Sequence, residues 1–198
     1  MDYLTLNGSR ISYEDKGSGD VILFVHGWNG SGYLWHMNLE GLSENFRAVA
    51  LDLPGHGDSG LPQEFPFTME SFSTFIEWFC DTLHLTDITL AGHSFGGSIA
   101  MHYAVHHPGR ASRLVLIDSP FTSKVLPWPL KLPFLDKLLA IYQPLRRRGS
   151  YRRMLTSSAQ HPERLPDDWL EKAVTQASKI DKTALIKTTM CIRDVNLE

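Results

Sequence analysis

Short apolar runs alternate with amphipathic stretches along residues 1–118 of the chain. The run Val21–Val25 is apolar at every position, which is typical of a strand buried on both faces of a sheet. Further strands are predicted at Tyr3–Leu6, Ile11–Glu14, Phe46–Leu51, Ile88–Ala91 and Leu114–Ile117, with helices at Trp35–Leu42, Met69–Leu83 and Ser98–His107. Strands that alternate with helices predict an α/β fold in which helices flank a mostly parallel sheet.

The pattern changes after Asp118. Prolines become frequent, and the chain shows only helical or irregular patterns, with an apolar helical face at Leu135, Leu138, Leu139 and Tyr142. Further helices are predicted from Pro166 through Ala177 and over Thr183–Val195. The sequence therefore predicts an α/β core at residues 1–118 and a helical cap or lid at residues 119–198, with no strand in the second part.

Charge is divided at the same boundary. Residues 1–118 carry 5 basic and 14 acidic side chains, and residues 119–198 carry 14 and 8, for a net charge of −3. A net-acidic chain with no basic motif in its first half is a poor candidate for binding nucleic acid. Cys80 and Cys191 lie far apart, which indicates neither a disulfide framework nor a zinc site. We find no signal peptide and no apolar run that could span a membrane, so we expect a soluble cytoplasmic protein.

One short segment has the spacing of a catalytic motif. Gly92-His93-Ser94-Phe95-Gly96 fits the pattern G-x-S-x-G and lies between a predicted strand and a predicted helix. A sharp turn there strains the serine backbone, exposes its hydroxyl, and leaves room only for small residues two positions away on either side. Ser94 is therefore the candidate nucleophile, with Gly92 and Gly96 as elbow glycines. The alternative is a Gly/Ser turn without catalytic meaning, which the strand–turn–helix context disfavours.

Backbone N–H groups beside this turn can stabilise a developing oxyanion. The start of the following helix leaves the Phe95 N–H unpaired. A second donor is expected after the strand Val21–Val25, where Val25-His26-Gly27-Trp28 makes the Trp28 N–H the candidate. We interpret His26 as a brace for its turn rather than as a catalytic base. The Trp28 indole is interpreted as a core aromatic rather than as a pocket wall.

A third segment, Asp52-Leu53-Pro54-Gly55-His56-Gly57-Asp58-Ser59, follows the next predicted strand. It lacks the Lys-Ser/Thr pair of a phosphate-binding loop, so we interpret it as structural. Together the three segments resemble the α/β-hydrolase superfamily, specifically its capped serine branch of esterases and lipases, over about residues 3–118. Branches with an aspartate nucleophile, such as haloalkane dehalogenases and epoxide hydrolases, are disfavoured because position 94 is serine.

The resemblance implies a chain order of serine, acid and histidine, with the acid usually after a seventh strand and the histidine after an eighth. The sequence predicts neither strand. The histidines after Ser94 are His102, His106, His107 and His161. Three lie on the helix that leaves the nucleophile and one lies in the cap, so no catalytic histidine is identified. Asp118 is the tentative acid, although an aspartate at this strand end more often shapes the exit into the cap.

A serine without a base is a weak nucleophile. We therefore expect these residues to be part of a longer polypeptide, or to be completed by a second fragment or a partner chain. Such a chain would leave one sheet edge and an apolar face unpaired.

Basic and aromatic side chains mark the predicted cap. Arg146-Arg147-Arg148 and Arg152-Arg153 could contact an anionic membrane, but the apolar stripe before them is short, which favours a cap helix with a solvated charged face. Phe121, Trp128 and Phe134 are candidates either for an acyl pocket or for packing between cap and core.

The predicted function is hydrolysis of a carboxylic ester, or a related acyl bond, in a small to medium apolar substrate. No metal and no organic cofactor is implied. The same fold serves carbon–carbon bond hydrolases, cofactor-free haloperoxidases and acyltransferases, and fold resemblance does not choose among them. The alternative from another class is a non-catalytic ligand-binding protein that keeps the pocket and lacks the catalytic triad.

Overall fold

The structure is a computed structural model that describes residues 1–122, 124, 137 and 147–197. Six strands form one sheet in the order β1-β2-β4-β3-β5-β6. They are β1 (Asp2–Leu6), β2 (Ser9–Lys16), β3 (Val21–Val25), β4 (Arg47–Leu51), β5 (Ile88–His93) and β6 (Ala111–Ile117). The pairs within β3–β6 are parallel and the β1–β2 and β2–β4 pairs are antiparallel, which confirms the predicted mostly parallel sheet.

Helices alternate with the strands from β3 to β6, and further described helices follow β6 in the chain. They are α1 (His36–Leu42), α2 (Met69–Thr82), α3 (Phe95–His106), α4 (Arg147–Ser158), α5 (Asp167–Ala177) and α6 (Lys182–Arg193). The Asp181 carboxylate accepts hydrogen bonds from two N–H groups of the first turn of α6, which fixes where that helix begins. The sequence did not predict α4 as a separate helix. The predicted helix around Leu135 and Tyr142 lies outside the described residues.

The amphipathic face predicted for α2 lies in the main core. Phe72, Phe75, Ile76 and Phe79 are each no more than 2% exposed. Phe72 packs edge-to-face on Phe95 of α3, with ring centroids 5.2 Å apart. Burying a side chain of this size contributes about 1.5–3 kcal/mol, so this face fixes α2 and α3 against the sheet.

The loop after β4 is held by a buried carboxylate. Asp52 accepts from the Gly32 N–H over 2.7 Å and from the Asp58 N–H over 2.8 Å. Gly57 has a φ of +53°, and a Cβ atom there would lie 2.4 Å from an Asp52 oxygen. Burial raises the pKa of Asp52 to about 6, against the opposing effect of these two N–H donors. These contacts give the loop a structural role.

The described C-terminal helices belong to two separate hydrophobic clusters. Ala184, Leu185 and Ile192 of α6 belong to the main hydrophobic cluster. The Asp181 N–H donates to the Gly55 carbonyl oxygen over 2.8 Å, which joins the start of α6 to the loop after β4. Helices α4 and α5 form a second cluster around Tyr33. The division of the chain at residue 118 stays a prediction.

Strand β6 lies at one edge of the sheet. Among the described residues it pairs only with β5. Its apolar side chains Leu114, Val115, Leu116 and Ile117 are 40–44% exposed, which is unusual for consecutive residues of a central α/β strand. Among the described helices, none is long and apolar enough to cross a membrane.

Candidate active site

The candidate nucleophile lies where the carboxyl ends of the parallel strands meet. Ser94 connects β5 to α3, and the strand register pairs Gly92 with Val25 on β3 and with Leu116 on β6. The Ser94 N–H donates to the Ile117 carbonyl oxygen over 2.8 Å, which ties the turn to the end of β6. Ser94 therefore lies between a strand and a helix, as its motif predicts.

The turn at Ser94 is strained and crowded. Ser94 has φ 52° and ψ −120°, a conformation that costs a non-glycine residue about 1–3 kcal/mol. A Cβ atom added at Gly92 would lie 2.5 Å from backbone atoms of Gly96. One added at Gly96 would lie 2.3 Å from the Val25 carbonyl oxygen. Both positions therefore require glycine, because a Cβ atom at either one would overlap backbone atoms.

The loop after β3 approaches this turn closely. A Cβ atom added at Gly27 would lie 3.0 Å from the Ser94 Cβ atom. The backbone N–H groups of Trp28 and Phe95 donate to no protein group within the described part of the chain. Neither N–H group is therefore committed to a protein acceptor among these residues.

The side chains of these two residues point to other partners. The Trp28 indole donates to the Thr189 hydroxyl over 2.9 Å, and that hydroxyl donates to the Leu185 carbonyl oxygen of α6. The Phe95 ring is fully buried in the main core. Each backbone N–H is thus carried by a residue whose side chain is anchored elsewhere.

His26 is bonded as a brace. Its ring is fully buried; Nε2 accepts from the Leu53 N–H over 3.0 Å, and Nδ1 lies 2.8 Å from the Gly27 carbonyl oxygen. This pairing requires the neutral ring with the proton on Nδ1, because a protonated Nε2 could not accept from Leu53. Burial, with smaller effects of neighbouring histidines, lowers the pKa of His26 to about 3.

The buried histidines predict acid sensitivity of folding. Burial lowers the pKa of His26 to about 3 and that of His56 to about 4, so their contribution is complete above pH 6.5 and is lost as the pH falls. Burial raises the pKa of Asp52 to about 6, so protonation of Asp52 stabilises the folded chain as the pH falls below 6. This gain offsets the loss from about one of the two histidines. We expect the free energy of unfolding in urea to fall by roughly 2–3 kcal/mol between pH 6.5 and 4.5.

The variant His26→Gln isolates one of these contributions. Glutamine can still donate and accept at this position but does not titrate, so the decrease in unfolding free energy on acidification should shrink by about half or more. His84→Gln, at an exposed position, is the control and should keep the parent pH dependence. If His26→Gln kept the parent pH dependence, the buried His26 ring would not be a source of the acid sensitivity.

Asp118 lies beside the turn at Ser94. Asp118 follows β6 with a φ of 48° and an exposed side chain. Burial lowers the pKa of His93, and the charge of Asp118 opposes that effect. None of the hydrogen bonds among the described residues joins the Ser94 hydroxyl to a histidine.

The later histidines have other contacts. His102 and His106 stack on each other with ring centroids 3.9 Å apart, and His107 stacks on Tyr103. His161 Nδ1 lies 3.2 Å from a Glu163 carboxylate oxygen on the surface.

Two basic residues of α4 make contacts with α5. Arg152 pairs with Glu171 of α5 and lies 3.6 Å from Asp167, and Arg148 donates to the Thr175 hydroxyl. These contacts join α4 to α5 across exposed surface. Phe121 is half exposed. Arg146, Trp128, Phe134 and the side chain of Arg147 lie outside the described part of the chain.

One group of side chains has the proximity of metal ligands. Glu14, His36 and Glu40 bring one ligand atom each within 4.8 Å of the others. The Lys16 ammonium pairs with both carboxylates, at 3.0 Å from Glu14, and so already supplies a positive charge there. The group lies on β2 and α1, apart from the turn at Ser94 in the fold.

A cavity of about 270 Å³ adjoins the turn, between the strand ends and helices α4 and α5. Its wall includes His26, Trp35, His93, Ile117, Leu155 and Trp169. The sequence does not indicate that Trp35, His93 and Trp169 share a cavity, because residues on separate elements have no characteristic spacing.

Known proteins resemble this chain in sequence and in fold. Residues 20–172 match the family described as alpha/beta hydrolase fold. The chain is 35% identical over 117 residues to the dihydrolipoyllysine-residue acetyltransferase component of an acetoin cleaving system of Cupriavidus necator, covering 59% of the chain and 31% of that protein. The chain spans only about a third of the curated relatives that it matches.

Solved structures show the same fold. A thermophilic esterase from Thermogutta terrifontis superimposes with a TM-score of 0.81 at 20% identity, covering 99% of the chain and 74% of the esterase. An epoxide hydrolase from Bacillus megaterium superimposes with a TM-score of 0.81 at 19% identity, covering 100% of the chain and 76% of that protein. The chain belongs to the α/β-hydrolase-fold family.

Proposed function

We propose that the chain forms the nucleophile-bearing part of a serine hydrolase that cleaves a carboxylic ester or a related acyl bond. The observation that carries the proposal is the strained turn at Ser94, with φ 52°, between two backbone N–H groups that donate to no protein group among the described residues. Strain of this kind is retained where the surrounding structure over-determines it, and it is concentrated at functional sites.

The chemistry follows from these groups. The Ser94 Oγ atom attacks the carbonyl carbon, and the carbonyl oxygen becomes an oxyanion that accepts from the N–H groups of Trp28 and Phe95. The bond to the leaving oxygen then breaks and leaves an acyl group on Ser94. Water releases the acid in a second step. Serine at position 94 favours this route over the aspartate chemistry of epoxide hydrolases.

The proton-accepting base is proposed to come from residues other than those of this sequence. The nine histidines of the chain all lie among the described residues, and none of them hydrogen-bonds to the Ser94 hydroxyl. Within the described residues β6 pairs only with β5, so its outer edge, next to Asp118, is where a further strand that carries a histidine could pair. Asp118 is the tentative acid of this arrangement.

Added imidazole tests both the role of Ser94 as nucleophile and the origin of the base outside this sequence. We expect the chain alone to accelerate hydrolysis of p-nitrophenyl acetate weakly, by about a thousandfold or less over water, because only the oxyanion donors and binding contribute. Imidazole should raise the Ser94-dependent rate by about tenfold or more by replacing the missing base.

The control is Ser94→Ala, which corrects for direct catalysis by imidazole in solution. A rate equal to that of Ser94→Ala at every imidazole concentration would contradict the enzyme proposal and favour a ligand-binding protein. Full activity without imidazole would contradict the proposed external base.

A further inference from the structure

The backbone N–H of Trp28 lies in a tight turn at residues 27–30, called here the 27–30 turn. The Gly30 N–H donates to the Gly27 carbonyl oxygen over 3.1 Å, and His26 Nδ1 donates to the same oxygen over 2.8 Å. Because the peptide unit is planar and trans, the Trp28 N–H points away from that oxygen. These bonds fix the direction of the N–H within the 27–30 turn. Contacts outside the turn must fix where the turn lies relative to Ser94.

The Trp28 side chain provides one such contact, with helix α6. Its indole Nε1–H donates to the Thr189 hydroxyl over 2.9 Å, and the two residues lie 161 positions apart in the sequence. Thr189 is 3% exposed, and its hydroxyl proton is donated to the Leu185 carbonyl oxygen over 2.7 Å. Since that proton is already used within α6, the Thr189 oxygen serves as the acceptor for the indole.

Helix α6 is firmly packed on the core. Ala184 and Ile192 of this helix belong to the main hydrophobic cluster. The Asp181 N–H donates to the Gly55 carbonyl oxygen, and a Cβ atom added at Gly55 would lie 2.5 Å from the Ala184 Cβ atom. The acceptor at Thr189 is therefore held at a fixed place relative to the loop after β4.

The other side of the 27–30 turn lies against the candidate nucleophile. A Cβ atom added at Gly27 would lie 3.0 Å from the Ser94 Cβ atom and 3.0 Å from the His93 carbonyl oxygen. The turn therefore lies between Ser94 and α6. An oxyanion donor acts over a narrow range of distances, about 2.7–3.1 Å, so a shift of the turn by a few tenths of an ångström changes its effect.

We propose that Thr189 is a positioning residue, whose hydroxyl holds the Trp28 indole and thereby sets the distance of the Trp28 backbone N–H from an oxyanion formed at Ser94. The inference rests on the proposed hydrolase function. Thr189 lies beyond residues 20–172, which match the family, so the family match does not cover this contact.

Two neighbouring threonines provide matched variants. Thr189→Val removes the hydroxyl that accepts from Trp28 and nearly keeps the shape of the side chain. Thr188→Val makes the same change one residue earlier, at a fully buried hydroxyl that has no hydrogen-bond partner among the described residues. Thr189→Ser keeps the hydroxyl and is the rescue variant. Unfolding in urea defines conditions under which all three variants are folded.

The Trp28 backbone N–H can be observed by itself. Gly27-Trp28 is the only Gly-Trp pair in the sequence, so labelling with carbonyl-13C glycine and 15N-tryptophan selects this one backbone signal in an NMR spectrum. The Trp28 indole signal is assigned through Trp28→Phe. Intact-mass spectrometry during incubation with p-nitrophenyl acetate gives the rate of acetylation at Ser94.

In Thr189→Val the indole proton signal should move to higher field, because the proton loses its acceptor, and the Trp28 backbone signal should move with it. Acetylation of Ser94 should slow about tenfold, which is less than the loss of about a hundredfold or more when a donor is removed outright. Thr189→Ser should restore the rate to within about twofold of the parent. Thr188→Val should leave both signals and the rate unchanged.

An indole signal that moves while the backbone signal and the acetylation rate stay the same would overturn the proposal, since Thr189 would then be only a structural contact. Equal effects of Thr188→Val and Thr189→Val would also overturn it, as would a Thr189→Ser variant as slow as Thr189→Val. If the parent chain is not acetylated at Ser94, the hydrolase proposal fails. The response of the Trp28 backbone signal to Thr189→Val then still decides whether Thr189 positions that N–H.

Discussion

The variant Gly96→Ala is expected to destabilise the chain by at least about 3 kcal/mol. The added Cβ atom would lie 2.3 Å from the Val25 carbonyl oxygen and 2.6 Å from that of His26. Both are backbone atoms at the end of β3 and cannot rotate away, so α3 must move off the sheet. Such a shift displaces Ser94, so acylation of any folded fraction should also be lost.

Unfolding in urea, followed by far-ultraviolet circular dichroism, measures this effect. The matched control is Gly41→Ala in α1, where an added Cβ atom meets nothing within 4 Å. That substitution should stabilise the chain by about 0.5–1 kcal/mol, because alanine favours the helix. Equal stability of Gly96→Ala and the parent would show that the close approach of α3 to β3 is wrong.

The sequence was a good guide where a hydrophobic run or local turn and capping residues determine an element. Strand β3 occupies Val21–Val25 as predicted, since a continuous apolar run suits a strand covered on both faces. The Asn7-Gly8 turn joins β1 to β2, and both residues have positive φ, as a tight hairpin requires. Helix α2 begins one residue after Thr68, whose hydroxyl accepts from the Ser71 N–H.

Elements set by pairing rather than by hydrophobicity were longer than predicted. Strand β6 begins at Ala111 rather than Leu114, because Ala111 and Arg113 also pair with β5. Helix α3 begins at Phe95 rather than Ser98, because the turn at Ser94 continues directly into it. Side-chain patterns do not report backbone pairing, which explains both differences.

The candidate site likewise has a part that the sequence predicts and a part that it does not. The positions of Ser94, Gly92 and Gly96 could be predicted because a crowded turn restricts residue type at fixed spacing. The cavity could not, since Trp35 and Trp169 lie 134 positions apart in numbering and meet only in the folded chain. The assignments of Ser94, Trp28, Phe95 and Asp118 to catalytic roles stay proposals.

Acetylation of Ser94 is the second large effect that we expect. The p-nitrophenolate group leaves without needing a proton, so an activated acetyl ester can acylate Ser94 slowly even without a base. Release of the acetyl group requires an activated water molecule, which also depends on a base. The acetyl group should therefore leave Ser94 more slowly than it arrives, so the acetylated chain should accumulate during the weak turnover expected of the chain alone.

The most direct measurement of the central claim is intact-mass spectrometry after incubation with p-nitrophenyl acetate, followed by peptide mapping. Our account predicts one acetyl group per chain, located on Ser94, absent in Ser94→Ala and unchanged in Ser157→Ala, an exposed serine of α4. No acetylation, or acetylation spread over lysines and equal in Ser94→Ala, would contradict the assignment of Ser94 as the nucleophile.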